Sequence, residues 1–349
     1  MVIQKIKGEA CKKTRALWEE VFSEDSIQFT DYYFEKKAQR NIGYTIGEEP
    51  YDAMMFRTPY MLQIGEVQRE ISYLVGVATR KECRHRGYMR KLLMHSFQEM
   101  YEEKIPFTFL MPANPAIYEP FDFKYIYERE VWEFNAAEFD GKLQGLYSVR
   151  SFCKQFPQIP IMRLLAEFAN RYLKEHYNIY VHRDASYYEM QLKESEAQNG
   201  DIYVFFEAGE IKAFFLYAKE GDEIFIQEVI EKKDGFFPFL QKAEKKKPII
   251  MARIIHLEEM MKLLCSKEST TMIIQIEDEL IPENAGIYRL EMTPKGSKVN
   301  KIRESICGGK EETMDLKAAQ MQNVVPEVSM HIRDFAPWVL NGVFINEIV

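Results

Sequence analysis

Residues 83–93 read CRHRGYMRKLL, which crowds Arg84, His85, Arg86, Arg90 and Lys91 around Gly87 in a chain of net charge −8. Apolar residues at helical spacing follow, so these cations stand at the start of a helix. A helix start already carries partial positive charge, and its first N–H groups lack internal acceptors. Cations are favoured at the opposite end, so the arrangement calls for an anion. A phosphate or pyrophosphate would suit the free N–H groups. Arg84 and Arg86 would add charge-assisted hydrogen bonds, and Gly87, without a Cβ, would let the backbone approach the ligand. The alternative is a solvated basic helix start that holds nothing. The G-x-x-x-x-G-K-[ST] and G-x-G-x-x-G patterns are both missing, so neither a P-loop nor a dinucleotide turn is expected.

The turn needs a strand before it and a helix after it, and the sequence supplies both. Residues 71–79 (ISYLVGVAT) read as a buried strand. From Gly87 onward, Met89, Leu92, Leu93, Phe97 and Met100 mark one face of an amphipathic helix. A further strand (PFTFLMPA), an aromatic loop (NPAIYEPFDFKY) and a returning strand (IYEREVWEF) complete a first unit, preceded by two helices over residues 14–39. A second unit repeats the order of helix, strands and helix without a cationic glycine turn; its hairpin turns at Ala208-Gly209, and DGFFPFLQKAEKK is expected to close it as a short helix. A third unit opens near Pro248, after the solvated run Lys245-Lys246-Lys247, with a strand running into a helix. Its last residues, FINEIV, are apolar, so this end is expected to dock against the protein.

At 46% hydrophobic and 29% charged residues over 349 positions, the composition describes a globular protein of two or three domains. Negative charge argues against a nucleic-acid binder. No run of about 18 apolar residues or secretory leader is apparent, so neither a membrane span nor export is expected. Cys11, Cys83, Cys153, Cys265 and Cys307 form no C-x-x-C pair, which points to reduced thiols in a cytoplasm rather than zinc or disulfides. His176, His182, His256 and His331 share no metal-ligand spacing, and no metal is expected.

The order strand, R-x-x-G-x, amphipathic helix, strand, aromatic loop resembles the GNAT acetyltransferases. Their Q/R-x-x-G-x-G/A turn would be Arg84-His85-Arg86-Gly87-Tyr88-Met89 here, with Met89 in place of Gly or Ala. The Eis-like branch tolerates a larger residue there. AIYEPFDF (residues 116–123) resembles that branch's aromatic loop. MARIIHLEEMMKLL (residues 251–264), IPENAGIYRL and FINEIV resemble its C-terminal, sterol-carrier-protein-like domain. The resemblance implies an α+β chain of two tandem GNAT-fold domains with mixed sheets flanked by helices, plus the sterol-carrier-like α+β domain. The boundaries would be 1–145 (acetyl-CoA binding), 146–247 (degenerate) and 248–349.

The implied activity is transfer of an acetyl group from acetyl-CoA to a primary amine: an aminoglycoside, a polyamine or a lysine side chain. Val77, Ala78 and Thr79 would hold the pantetheine, and Arg84, His85, Arg86, Gly87, Tyr88 and Met89 the pyrophosphate. Asn114 is a candidate cofactor contact or simply a turn residue. Tyr118 would be the general acid, and the α-carboxylate of Val349 would reach the transfer centre. A hexamer is implied by the relatives, with no nucleic-acid or membrane partner. A competing reading is a lipid- or small-molecule-binding protein that works through the third domain.

Overall fold

The computed structural model describes residues 2–221, 223–304 and 326–346 of the chain. The cationic helix, α3 (Tyr88–Glu102), crosses between two parallel neighbours of a nine-stranded sheet. The strands are β1 (Ile3–Lys7), β2 (Ile42–Ile46), β3 (Ala53–Ile64), β4 (Val67–Thr79) and β5 (Phe107–Leu110), then Lys247–Ile254 from much later in the chain, then β6 (Lys124–Arg129). Ile179–Val181 pairs with the end of β3, and Val343–Phe344 lies parallel to Ile179–Val181. Helices α1 (Arg15–Val21) and α2 (Ile27–Tyr32) fall within the stretch where helical spacing places them. In α3 the apolar stripe Leu92, Leu93, Phe97 and Met100 is fully buried, which is what its spacing predicts. This is a mixed α+β fold of mixed sheets flanked by helices.

Lys247–Ile254 opens the segment read from sequence as a third unit, yet it pairs antiparallel with β5 on one side and β6 on the other. It closes the first sheet. Residues between β6 and this strand build a separate antiparallel sheet in the order Glu223–Glu231, Glu210–Glu220, Asp201–Glu207, Tyr147–Ser148. Two helices, Val149–Gln155 and Ile161–His176, stand where one was anticipated. A further helix, Ala185–Ala197, was not anticipated; Asp184 caps it by accepting from the Tyr187 N–H at 2.7 Å.

The short helix expected over residues 234–246 is not there. Gly235 takes a φ of +102° and Pro238 lacks an N–H, so the segment turns instead. It buries Phe237 and pairs Gln241–Lys242 with Trp132–Glu133.

The last sheet runs Gly296–Glu304, Gly286–Thr293, Thr270–Glu277, Val328–His331. One hydrophobic core extends from Trp18 and Phe56 in the first sheet to Ile274, Tyr288 and Phe335 in the last. The middle sheet keeps separate clusters around Leu165 and Phe214, and around Phe215 and Phe237. The tail is docked as far as it is described: Val343, Phe344 and Ile345 are buried, and Asn346 donates to the Gln227 carbonyl.

β4 carries the feature that shapes the site. Met54 pairs with Ala78 and Phe56 with Val75, so β4 holds one residue more than β3 across this span. That bulge contains Gly76, with a φ of +61°. A Cβ there would stand 2.7 Å from Trp18 Cζ3 and 3.0 Å from Phe56 Cδ2. Gly76→Ala is therefore expected to destabilise the protein by roughly 2–4 kcal/mol, from overpacking plus left-handed backbone strain. The check is a lowered urea midpoint at unchanged slope. An unchanged midpoint would show that the bulge relaxes freely.

Candidate active site

β4 and β5 run parallel and pair only at Ser72–Thr108 and Tyr73–Phe109. β4 continues to Thr79, whereas β5 ends at Leu110. Among the described residues no strand covers the β5-facing edge of β4 beyond Tyr73. Val77, Ala78 and Thr79 lie on this open stretch, Ala78 buried and the other two half-buried. Their backbone amides line a gap between parallel strands that an extended chain of amides could enter as an extra strand does.

The gap leads to the turn. Cys83 N–H donates to the Arg80 carbonyl at 2.9 Å, and Arg84 N–H to that of Lys81 at 3.4 Å. His85 and Gly87 both adopt left-handed backbone, with φ of 63° and 74°. Gly87 is the N-cap of α3, and no side chain caps the helix. The first internal bond there is Lys91 N–H to the Gly87 carbonyl at 3.1 Å, so the N–H groups of Tyr88, Met89 and Arg90 open outward. The Tyr88 side chain is buried with its hydroxyl against the Arg86 guanidinium, and that of Met89 is half-buried. A Cβ on Gly87 would meet nothing within 4 Å, and Arg84, His85 and Arg86 are exposed beside it. The two arginines are tethered by backbone carbonyls: Arg84 Nε donates to Thr79 at 3.3 Å, and Arg86 Nη2 to Glu82 at 3.0 Å. Each guanidinium has five donors, so most remain for a ligand.

Tyr118 sits in the loop that follows β5, between the short helical turns Pro115–Ile117 and Glu119–Phe121. Its carbonyl accepts from Phe121 N–H at 2.9 Å and from Phe123 N–H at 3.4 Å. Its ring meets Phe123 edge-on at 5.9 Å, and Phe123 lies 6.1 Å from Phe97 of α3. Among the described residues no group hydrogen-bonds the Tyr118 hydroxyl, and burial pushes the phenol up to about 12. Asn114 is exposed, and its Oδ1 accepts from Ala116 N–H at 3.0 Å, the geometry of a turn. Val349 lies outside the described residues.

Two features here were not singled out from the sequence. The Gly76 bulge had a signal, an isolated glycine inside an apolar strand. Asp122, buried four residues after Tyr118, had none, because its partners come from distant parts of the chain.

Residues 2–126 match the family model of the acetyltransferase (GNAT) domain. These residues form a GNAT acetyltransferase domain. The chain is accordingly an acyltransferase, and acetyl-CoA is the co-substrate that GNAT domains use. No curated protein matches the chain. Among solved structures, a conserved protein of unknown function from Enterococcus faecalis V583, described as a "Probable N-Acyltransferase", is similar at 16% identity with a TM-score of 0.71, over 97% of this chain and 89% of that one. A GCN5-related N-acetyltransferase from Anabaena variabilis ATCC 29413 is 15% identical, TM-score 0.69, over 97% and 90%. Eis1 from Mycobacterium abscessus is 10% identical, TM-score 0.64, over 97% and 90%. At these identities the likeness is one of fold, and it extends well beyond the GNAT domain. No helix among the described residues is long and apolar enough to cross a membrane.

Proposed function

We propose that the chain transfers the acetyl group of acetyl-CoA to a primary amine by direct attack on the thioester. The observation that carries this reading is the open edge of β4 running straight into an uncapped helix start beneath Arg84 and Arg86. Pantetheine amides would pair with Val77 to Thr79, and the pyrophosphate would rest on the Gly87 turn. The amine nitrogen attacks the carbonyl carbon. The C–N bond forms, the C–S bond breaks, and the sulfur leaves with the electron pair. Tyr118 hands its proton to the sulfur and regains one from the ammonium nitrogen, so protons balance. A phenol near 12 suits this role only if the leaving thiolate is also poorly hydrated. A dry site raises both values together, because both anions lose hydration.

In this reading residues 1–145 hold the chemistry, completed by the Lys247–Ile254 strand, and 146–247 is a second, degenerate GNAT-like unit. The remainder to residue 349 is the sterol-carrier-like unit. The absence of a cationic glycine turn in the second unit supports one acetyl-CoA per chain. The free thiols of Cys11, Cys83, Cys153 and Cys265 fit a reducing cytoplasm.

A panel of an aminoglycoside, a polyamine and a lysine peptide, assayed for CoA release, tests the activity. Amine-dependent release with at least one class is expected; hydrolysis alone would overturn it. One observation favours the competing, apolar-ligand reading: a cleft of about 630 Å³ lined in part by Met260, Leu263, Leu264, Met292 and Trp338. Mass spectrometry of the purified protein separates the two, since co-purified lipid without CoA would favour the second.

A further inference from the structure

Asp122 is 4% exposed and holds a left-handed backbone at a φ of 63°, four residues beyond Tyr118. Its carboxylate faces three basic groups, each from far along the chain. Arg253 Nη1, on the Lys247–Ile254 strand, is 3.8 Å away. His331 Nδ1 is at 3.8 Å and Arg333 Nε at 3.3 Å, both at the start of the Ile332–Val339 helix. Arg333 Nε also donates to His331 Nδ1 at 3.0 Å.

Arg253 is fully buried, lies over the Phe97 ring at 5.1 Å, and donates through Nη2 to Asp278 Oδ1 at 2.9 Å. Asp278 is fixed in turn by the N–H groups of Leu280 and Ile281, both at 3.0 Å, and by Asn284 Nδ2 at 3.0 Å. The same loop is met by the guanidinium of Arg90, from the first turn of α3, 5.7 Å from the Phe121 ring.

The buried part of this set, Asp122, Arg253 and Asp278, is a poor way to gain stability, because desolvation offsets most of the attraction. What it does supply is a tether: ion pairs at 3.3–3.8 Å draw Asp122 toward Arg253 and Arg333, and the hydrogen bond to Asp278 fixes Arg253 in turn. It also joins two parts that the chain separates, the loop bearing Tyr118 and the C-terminal sheet.

We propose that Arg253 and Arg333 are positioning residues that act through Asp122, so that the C-terminal unit sets where the Tyr118 hydroxyl stands. The inference rests on the reading of Tyr118 as the general acid. Loss of this hold leaves the Gly87 turn and the open edge of β4 in place, so cofactor binding persists while proton delivery falters. Arg253 is too deeply buried for a clean test. Arg333, with 43% of its side chain exposed, can be changed without emptying the core.

The experiment compares Arg333→Gln and Arg333→Lys, each in the native and the Tyr118→Phe background. It adds the ¹⁹F spectrum of protein labelled with 3-fluorotyrosine, in which the Tyr118 resonance is assigned by its loss in Tyr118→Phe. Arg333→Gln is expected to lower kcat about tenfold with KM for acetyl-CoA unchanged, as loose positioning does. Arg333→Lys should recover most of that loss. In the Tyr118→Phe background Arg333→Gln should change kcat less than about twofold, since an effect routed through an absent hydroxyl disappears. The Tyr118 resonance should shift or broaden in Arg333→Gln and stay put in Arg163→Gln, a surface control. An unmoved resonance, or an equal fall in both backgrounds, overturns the positioning role. A moved resonance together with native turnover in Tyr118→Phe upholds the positioning of the loop and overturns instead the reading of Tyr118 as the acid.

Discussion

Gly87→Asp is expected to remove measurable acetyl-CoA binding while leaving the protein folded. The position has open space around it, so the new side chain clashes with nothing. Its backbone stands at φ 74° and ψ 17°, a left-handed conformation that aspartate tolerates better than most residues. The folding cost should therefore be about 1 kcal/mol. The binding cost is far larger. The carboxylate would sit where a doubly charged pyrophosphate needs the free N–H groups of Tyr88, Met89 and Arg90, and would itself satisfy some of them. Titration calorimetry should show affinity reduced by 10²-fold or more, about 3 kcal/mol. Gly87→Ala is the matched control: it imposes the backbone cost and a Cβ without the charge, and should bind more weakly than native but measurably. Native affinity in a folded Gly87→Asp protein would mean the anion site lies elsewhere.

Tyr118→Phe should lower kcat by about 10²-fold or more at near-native acetyl-CoA affinity. Its hydroxyl has no hydrogen-bond partner among the described residues, so deleting it should leave stability at neutral pH unchanged or slightly raised. The same burial gives a second signature. The phenol lies above its unfolded value of about 10, at about 12 in the fold. The folded state thus keeps a proton that the unfolded chain releases. The stabilisation this brings is complete below pH 10 and is lost as pH rises through 12. Between those values native protein should lose stability faster than Tyr118→Phe, which urea melts at stepped pH would show. Native turnover in the variant would assign the proton to water or another group.

The cationic turn was legible because it breaks a rule. Arg84 and Arg86 at a helix N-terminus conflict with the helix dipole, and local conflicts of that kind mark sites. Strands and helices near the turn were legible from their periodicity, including the buried stripe of α3. What the sequence hides is pairing across distance. Nothing in residues 247–254 says whether that strand joins the sheet after it or the one before it, since a buried strand has the same apolar pattern in either place. The Asp122 set is hidden for the same reason: one carboxylate, two arginines and a histidine, spread over more than 200 positions, have no common spacing. The missing helix over residues 234–246 failed on turn chemistry, where Gly235 and Pro238 outweigh the apolar count.

The Lys247–Ile254 strand has a consequence for how the chain reaches this form. Among the described residues, β5 and β6 each find their partner only in that strand and, for β5, in two residue pairs with β4. During synthesis the first sheet therefore waits, with β6 made and its neighbour missing, while roughly 120 further residues emerge, a delay of about 6–25 s at ordinary elongation rates. The middle sheet, whose three long strands follow one another in sequence, has all its parts within that interval and can close first. The ends of its insertion, at β6 and at Lys247, are then held side by side, which lowers the entropy cost of bringing the last strand home. The middle unit would on this account serve as the clamp that lets the first sheet close.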